Sequence, residues 1–120
     1  MSNNETKLQQ EIRLAIGKIP TLRLFRNQVG QLPDPRTGRP VQFGLAKGSS
    51  DLIGFKKIKI TEDMIGQEIA QFVSIEIKTE KGKLTPQQKN WLTFISQSGG
   101  ITGVARSIKD VFNILSLKHN

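Results

Sequence analysis

The chain has no cysteine and a single histidine, His119, next to last in the sequence. The first absence excludes disulfide scaffolding and thiolate metal sites, and it is compatible with a reducing cytosol. The second argues against a His-rich zinc site, a Ser-His-Asp triad and a histidine general base. No apolar run approaches membrane-spanning length, so no membrane partner is expected. The opening Met1-Ser2-Asn3-Asn4-Glu5 is polar and lacks the apolar centre of a signal peptide, which leaves no argument for export. Internal repeats and low-complexity tracts are missing as well. Acidic residues are scarce: 10 Asp plus Glu stand against 18 Lys plus Arg, a net charge of +8. That balance favours a polyanionic partner, most simply nucleic acid. The alternative is a soluble basic protein whose lysines are merely spread along the chain.

What is present fits one soluble globular domain. At 120 residues, with 36% hydrophobic and 23% charged residues, the chain is long enough for one core and too short for two. Its organising stretch is Ser74-Ile75-Glu76-Ile77-Lys78-Thr79-Glu80. Val73, Ile75 and Ile77 alternate with Ser74, Glu76 and Lys78, the period-two pattern of a half-buried strand. Residues two apart on a strand share a face, which sets Glu76 beside Lys78. Asp51, opening the apolar run Leu52-Ile53-Gly54-Phe55, is the natural third charge, expected opposite Glu76 on a neighbouring strand. Two carboxylates and a lysine at the ends of paired strands make a hard-cation site with an ammonium beside it.

Taken in order, the chain begins with a predicted helix from about Glu5 to Lys18, whose apolar stripe is Leu8, Ile12, Ala15, Ile16 and Ile19. Glu11 lies at the edge of that stripe, where it either reaches the rim of a site or is simply solvated. Pro20 closes the helix, and Leu22 to Arg26 reads as a short strand. Gln31 to Gly48, with Pro33, Pro35, Gly38, Pro40, Gly44 and Gly48, is expected to be largely irregular. Arg36, Arg39 and Lys47 make it basic, and its length suggests a substrate-contacting loop, with a disordered insertion as the competing view. Leu52 to Ile60 is a strand candidate whose alternation changes phase at Lys56-Lys57, and Thr61 to Gly66 is a turn or one helical turn. Glu68 to Lys78 is the expected central strand. Thr85-Pro86-Gln87-Gln88 then opens a helix, with Thr85 as N-cap, Pro86 first in the helix and Gln88 completing a capping box. Trp91, Leu92 and Ile95 supply its buried face and Gly99-Gly100 ends it. Ile101 to Ala105 is a strand that a right-handed crossover makes parallel to the one before. Ser107 and Asp110 repeat the capping-box spacing and open a last helix.

The order helix, strand, strand, strand, helix, strand, helix resembles the PD-(D/E)XK nuclease superfamily. This predicts an α/β, restriction-endonuclease-like α-β-β-β-α-β core, with a mixed central sheet flanked by helices and a C-terminal helix added. Gly48-Ser49-Ser50-Asp51-Leu52-Ile53, Glu76-Ile77-Lys78, Gly82-Lys83-Leu84-Thr85-Pro86-Gln87-Gln88 and Gly99-Gly100 together resemble the virus-type replication-repair nuclease family, VRR-NUC. Arg26-Asn27-Gln28-Val29-Gly30 resembles the Arg-Asn-x-x-Gly segment of its phage-like stand-alone members. The resemblance covers nearly the whole chain, so residues 1–120 read as a single domain of that family. Ser50 departs from it, standing where the family usually has proline; that proline is mainly conformational.

The resemblance implies Asp51, Glu76 and Ile77 as ligands of Mg2+ or Mn2+. It gives Lys78 the task of orienting the attacking water and offsetting charge in the transition state. Glu11 takes the place of the family's N-terminal-helix glutamate and Gln88 that of a glutamine in the active site, although capping alone also accounts for Gln88. Candidate nucleic-acid contacts are Arg26, Asn27, Arg36, Arg39, Lys47, Lys81 and Lys83; Arg26 and Asn27 equally well finish a strand. The implied activity is a divalent-metal-dependent DNA endonuclease acting on branched DNA such as Holliday junctions. The resemblance also implies a homodimer, and the lack of cysteine and of a signal-peptide core leaves the cytoplasm as the expected location, that of the host cell if phage-encoded. A less selective endonuclease or nickase, and a non-catalytic basic DNA-binding accessory protein, are the competing functions. A pure binder gains nothing from acidic groups facing phosphate, which weighs against the last.

Overall fold

Two stretches of the described residues, one ending at Ile58 and the other beginning at Lys59, each form a compact unit. The computed structural model describes residues 3–116, so His119 and the start of the N-terminal segment lie outside the described residues. Among the described residues the fold is mixed α/β, with small sheets and three α-helices, the last near the C-terminus. Among the described residues the six strands pair as three two-stranded sheets, two antiparallel and one parallel, rather than as the one mixed sheet expected from the sequence. Among the described residues no helix is long and apolar enough to cross a membrane.

The first unit opens with α1 (Asn3–Ile16), which stops two residues short of the predicted end as the chain turns through Gly17 and Lys18. Its predicted apolar stripe is not a buried face: Leu8, Ile12 and Ile19 are exposed, and only Ile16 of the five is half-buried. Strand β1 (Leu22–Arg26) is where the sequence places it. It pairs antiparallel with β4 (Leu52–Lys56), Leu22 opposite Lys56 and Arg26 opposite Leu52. β4 ends four residues before the predicted Ile60. Its last bond runs from the Lys57 N–H to the Thr21 carbonyl, and Pro20 beyond has no N–H to offer.

Between them lies a hairpin that the sequence reading missed. β2 (Gly30–Pro33) and β3 (Pro40–Phe43) pair antiparallel across the stretch predicted to be irregular. Pro33 stands opposite Pro40, and the next pair, Asp34 and Arg39, is bonded through the Asp34 N–H and the Arg39 carbonyl at 2.8 Å. The prolines therefore occupy a non-hydrogen-bonded pair, where an N–H would face away from the partner and its loss costs nothing. The hairpin tip is set by an Asx turn, in which Asp34 Oδ1 accepts from the Arg36 N–H at 2.8 Å.

In the second unit a 3-10 turn (Glu62–Met64) precedes β5 (Val73–Ile77), α2 (Pro86–Gln97), β6 (Ile101–Ala105) and α3 (Ile108–Ile114). β5 and β6 run parallel with Val73 opposite Ile101 and Ile77 opposite Ala105, as the crossover argument predicts. β5 starts at Val73 rather than Glu68 because β6 supplies no partner further back: Gly99-Gly100 has only just ended α2, and the Ile101 N–H already bonds to the Phe72 carbonyl. The helix start is the one predicted. Thr85 Oγ1 accepts from the Gln88 N–H at 3.1 Å, and Gln88 Oε1 accepts from the Thr85 N–H at 3.0 Å. In α3 the box is only half made. Ser107 Oγ accepts from the Asp110 N–H, but the Asp110 carboxylate takes the N–H of Arg106. The fully buried Ile95 and Ala105 mark the core, where α2 packs on β5 and β6 and α3 packs on β6.

Candidate active site

The polar face of β5 lies under α2. Ser74, Glu76 and Lys78 are half-buried, while Val73 and Ile77, the apolar residues that alternation would bury, are exposed. The contacts step along both elements together. Trp91 Nε1 donates to Ser74 Oγ at 2.8 Å, and one turn nearer the helix start Gln88 Nε2 donates to Glu76 Oε1, also at 2.8 Å. Three residues along a helix match two along a strand running the opposite way, so the capping box that starts α2 delivers Gln88 to Glu76. Glu76 thus sits at the N-terminal turn of α2, where the partial positive charge of the backbone favours a carboxylate.

Lys78 Nζ stands 3.8 Å from the same Glu76 oxygen, and the two side chains retain 18% and 32% of their exposure, enough for water and substrate to reach them. Glu76 Oε2 takes no hydrogen bond among the described residues. The Phe72 carbonyl and the Lys78 N–H bond to β6, which turns the backbone of the even-numbered residues toward that strand. The Ile77 carbonyl therefore points off the opposite edge of β5. A free carboxylate oxygen and an outward carbonyl are hard oxygen donors, the set that Mg2+ and Mn2+ prefer, so these residues fit such an ion.

Arg106 is a member of this end of the unit that the sequence reading overlooked. Its Nη1 donates to the Thr79 and Glu80 carbonyls, tying down the chain just after Lys78. The parallel register holds the signal that could have found it, since the residues following Ile77 and Ala105 must emerge side by side. Lys81 and Lys83 lie exposed on the connection that follows. Glu76, Lys78, Arg106 and the start of α2 all gather at the carboxyl ends of two parallel strands, the usual place for a site in such a unit.

The first unit holds the remaining candidates. Asp51 is exposed just before β4, and its carboxylate makes no hydrogen bond or ion pair among the described residues. Asn27 follows β1 and is bonded directly to the Asp51 segment: its N–H meets the Asp51 carbonyl at 2.8 Å, and its Nδ2 reaches Ser49 Oγ and the Ser50 carbonyl. Arg26, at the exposed end of β1, helps line a groove against α1 together with Gln9, Gln10 and Arg13. Glu11 is exposed on α1 and has no hydrogen-bond or ionic partner among the described residues. Arg36 and Arg39 flank the tip of the β2–β3 hairpin, and Lys47 is exposed in the loop that follows it. Among the described residues no three His, Cys, Asp or Glu side chains converge as a ready-made metal cage.

A family model described as the VRR-NUC domain matches residues 4–109 of the 120-residue chain. No curated protein and no solved structure matches it.

Proposed function

Because the chain belongs to the VRR-NUC domain family, a family of nuclease domains, we propose that it is a divalent-metal-dependent DNA endonuclease that hydrolyses phosphodiester bonds and prefers branched DNA. The observation that carries this reading is the trio of Glu76, Lys78 and Gln88, brought together within hydrogen-bonding and ion-pairing distance at the end of β5. A structural salt bridge would need only the first two. The third, spent on holding one carboxylate oxygen while the other stays free, is the arrangement of a ligand being aimed.

In this reading Asp51, Glu76 and the Ile77 carbonyl hold Mg2+ or Mn2+. When bound, the cation supplies Lewis acidity to a non-bridging phosphate oxygen and makes a nearby water more acidic. The chain's own groups do the rest. Gln88 fixes the rotamer of Glu76 through Nε2 while its Oε1 stays engaged in the helix cap. Lys78 presents an ammonium that orients the attacking water and offsets the charge gained in the transition state. Glu11 acts as a further carboxylate of the site. The net charge of +8 draws the polyanion in, with Arg26, Arg36, Arg39, Lys47, Lys81 and Lys83 as phosphate contacts.

The family supports reading both units as parts of one nuclease domain with the restriction-endonuclease-like core. Resolving a junction takes two symmetric cuts, and a two-fold dimer is the simplest way to pair two sites, so the active form is a homodimer. The test is to incubate the purified protein with four-way junction, flap, duplex and single-stranded DNA, each with Mg2+, Mn2+ or EDTA. Light scattering accompanies the assay. Metal-dependent cuts that favour the junction, from a dimer, are the expected result. Equal cutting of linear duplex by a monomer would remove the structure preference and leave the nuclease. No cutting of any substrate with either metal would remove the catalytic reading.

A further inference from the structure

Asn27 entered as a candidate DNA contact, yet its hydrogen-bonding capacity is already spent inside the first unit. The side-chain amide has two donor hydrogens and one acceptor oxygen. Nδ2 donates to Ser49 Oγ at 2.7 Å and to the Ser50 carbonyl at 2.9 Å. Oδ1 accepts from the Leu45 N–H at 3.1 Å, and the Asn27 N–H meets the Asp51 carbonyl at 2.8 Å. No donor is left to offer a phosphate.

These four bonds have one common target. They gather Leu45, Ser49, Ser50 and Asp51 around the end of β1, so a single residue pins both ends of the loop that leads into β4. The loop is shaped to allow it. Gly44 and Gly48 both take positive φ, 81° and 86°, which lets the chain fold back within a few residues. A Cβ on Gly44 would strike the Gln28 backbone, so the loop approaches the Asn27 turn as closely as glycine permits. The Asp51 carboxylate at the loop's far end is left exposed and unbonded among the described residues. A clamp on the backbone beside a free carboxylate is how a metal ligand is aimed without being consumed.

We propose that Asn27 is a positioning residue: it fixes the Ser49-Ser50-Asp51 segment so that the Asp51 carboxylate is set in advance to take the divalent cation. This rests on the assignment of Asp51 as a metal ligand made above. It replaces the DNA-contact role for Asn27 and explains why an asparagine, with both donors and an acceptor on one short side chain, stands there. Aspartate keeps the acceptor but loses both donors and sets a carboxylate against the Ser50 carbonyl, while alanine loses all three side-chain bonds.

The experiment measures Mn2+ affinity by calorimetry, DNA affinity in EDTA by fluorescence anisotropy, and thermal melting. The proteins are the wild type, Asn27→Ala, Asn27→Asp, Ser49→Ala and Asp51→Asn. Outer-sphere partners of metal ligands typically contribute about 10–100-fold to affinity, and both Asn27 variants should lose Mn2+ affinity on that scale while binding DNA in EDTA as the wild type does. Ser49→Ala removes a single accepted bond and should give a smaller loss in the same direction; it carries the test if Asn27→Ala does not fold. Weakened DNA binding with unchanged Mn2+ affinity in the Asn27 variants would overturn the proposal and restore the DNA-contact role. Unchanged Mn2+ affinity in Asp51→Asn would instead overturn the ligand assignment beneath it.

Discussion

Gln88 is asked to do two things at once, and substituting it separates them. Its Oε1 closes the helix cap with the Thr85 N–H at 3.0 Å, and its Nε2 grips Glu76 at 2.8 Å. Gln88→Glu retains the acceptor for the cap but replaces the donor with a second carboxylate facing Glu76. A hydrogen bond to a charged group contributes about 1.5–3 kcal/mol, and Glu76 is about one-third exposed, so the lower end applies. Two carboxylates about 4 Å apart repel by about 4 kcal/mol at an effective dielectric constant of 20, before the side chains swing apart and water screens them. The net expectation is a loss of about 2–3 kcal/mol, a fall in melting temperature of about 8–12 °C at this chain length. Gln88→Ala loses both bonds but adds no repulsion, and should cost about 1–2 kcal/mol. Thermal melts of the three proteins at pH 7, with cleavage rates alongside, read this directly. Gln88→Glu melting and cutting like the wild type at pH 7 would refute the reasoning and leave Gln88 as a cap alone.

Lys78→Ala should lower turnover by about 10²–10³-fold with little change in DNA affinity, because its charge matters most as the transition state forms; single-turnover kinetics against anisotropy binding separates the two. Gly54→Ala should destabilise by about 1–3 kcal/mol or more, since a Cβ there meets the Arg23 backbone carbonyl across the β1–β4 ladder, and chemical denaturation reads the loss. Arg36→Ala with Arg39→Ala should reduce the slope of log affinity against log salt by about 2 while leaving the turnover number near the wild-type value, because both flank the exposed hairpin tip.

Local chemistry was the legible part of this sequence. Thr85 and Gln88 announced the start of α2 because capping needs only four consecutive residues, and the parallel pairing of β5 with β6 followed from the length of the crossover. Glu76 beside Lys78 came from the two-residue period alone. What failed depended on partners distant in sequence. Pro33 and Pro40 looked like breakers, and only the register that sets them opposite one another makes them harmless. Alternation in Val73 to Ile77 gave the strand but not which face is covered, and the polar face is the one under α2. The ends of β4 and β5 were overrun because a strand stops where its partner does, at Thr21 beside β4 and at Ile101 beside β5. Asn27 acts on a backbone carbonyl 23 positions away, and no pattern along the chain marks such a bond; Arg106, 27 positions from Thr79, was legible only through the parallel register of β5 and β6.

The central claim is that the Glu76 carboxylate serves catalysis rather than folding. Gln88 Nε2 donates to Oε1 of that carboxylate, an oxygen that Glu76→Gln can keep. The decisive measurement is the single-turnover cleavage rate of Glu76→Gln on junction DNA at saturating Mg2+, with the melting temperature and DNA affinity of the same preparation. A catalytic role for Glu76 requires a rate lower by about 10³-fold or more, a fold intact, and DNA bound as tightly as by the wild type or tighter once a negative charge is gone. Cleavage at the wild-type rate by Glu76→Gln would contradict it.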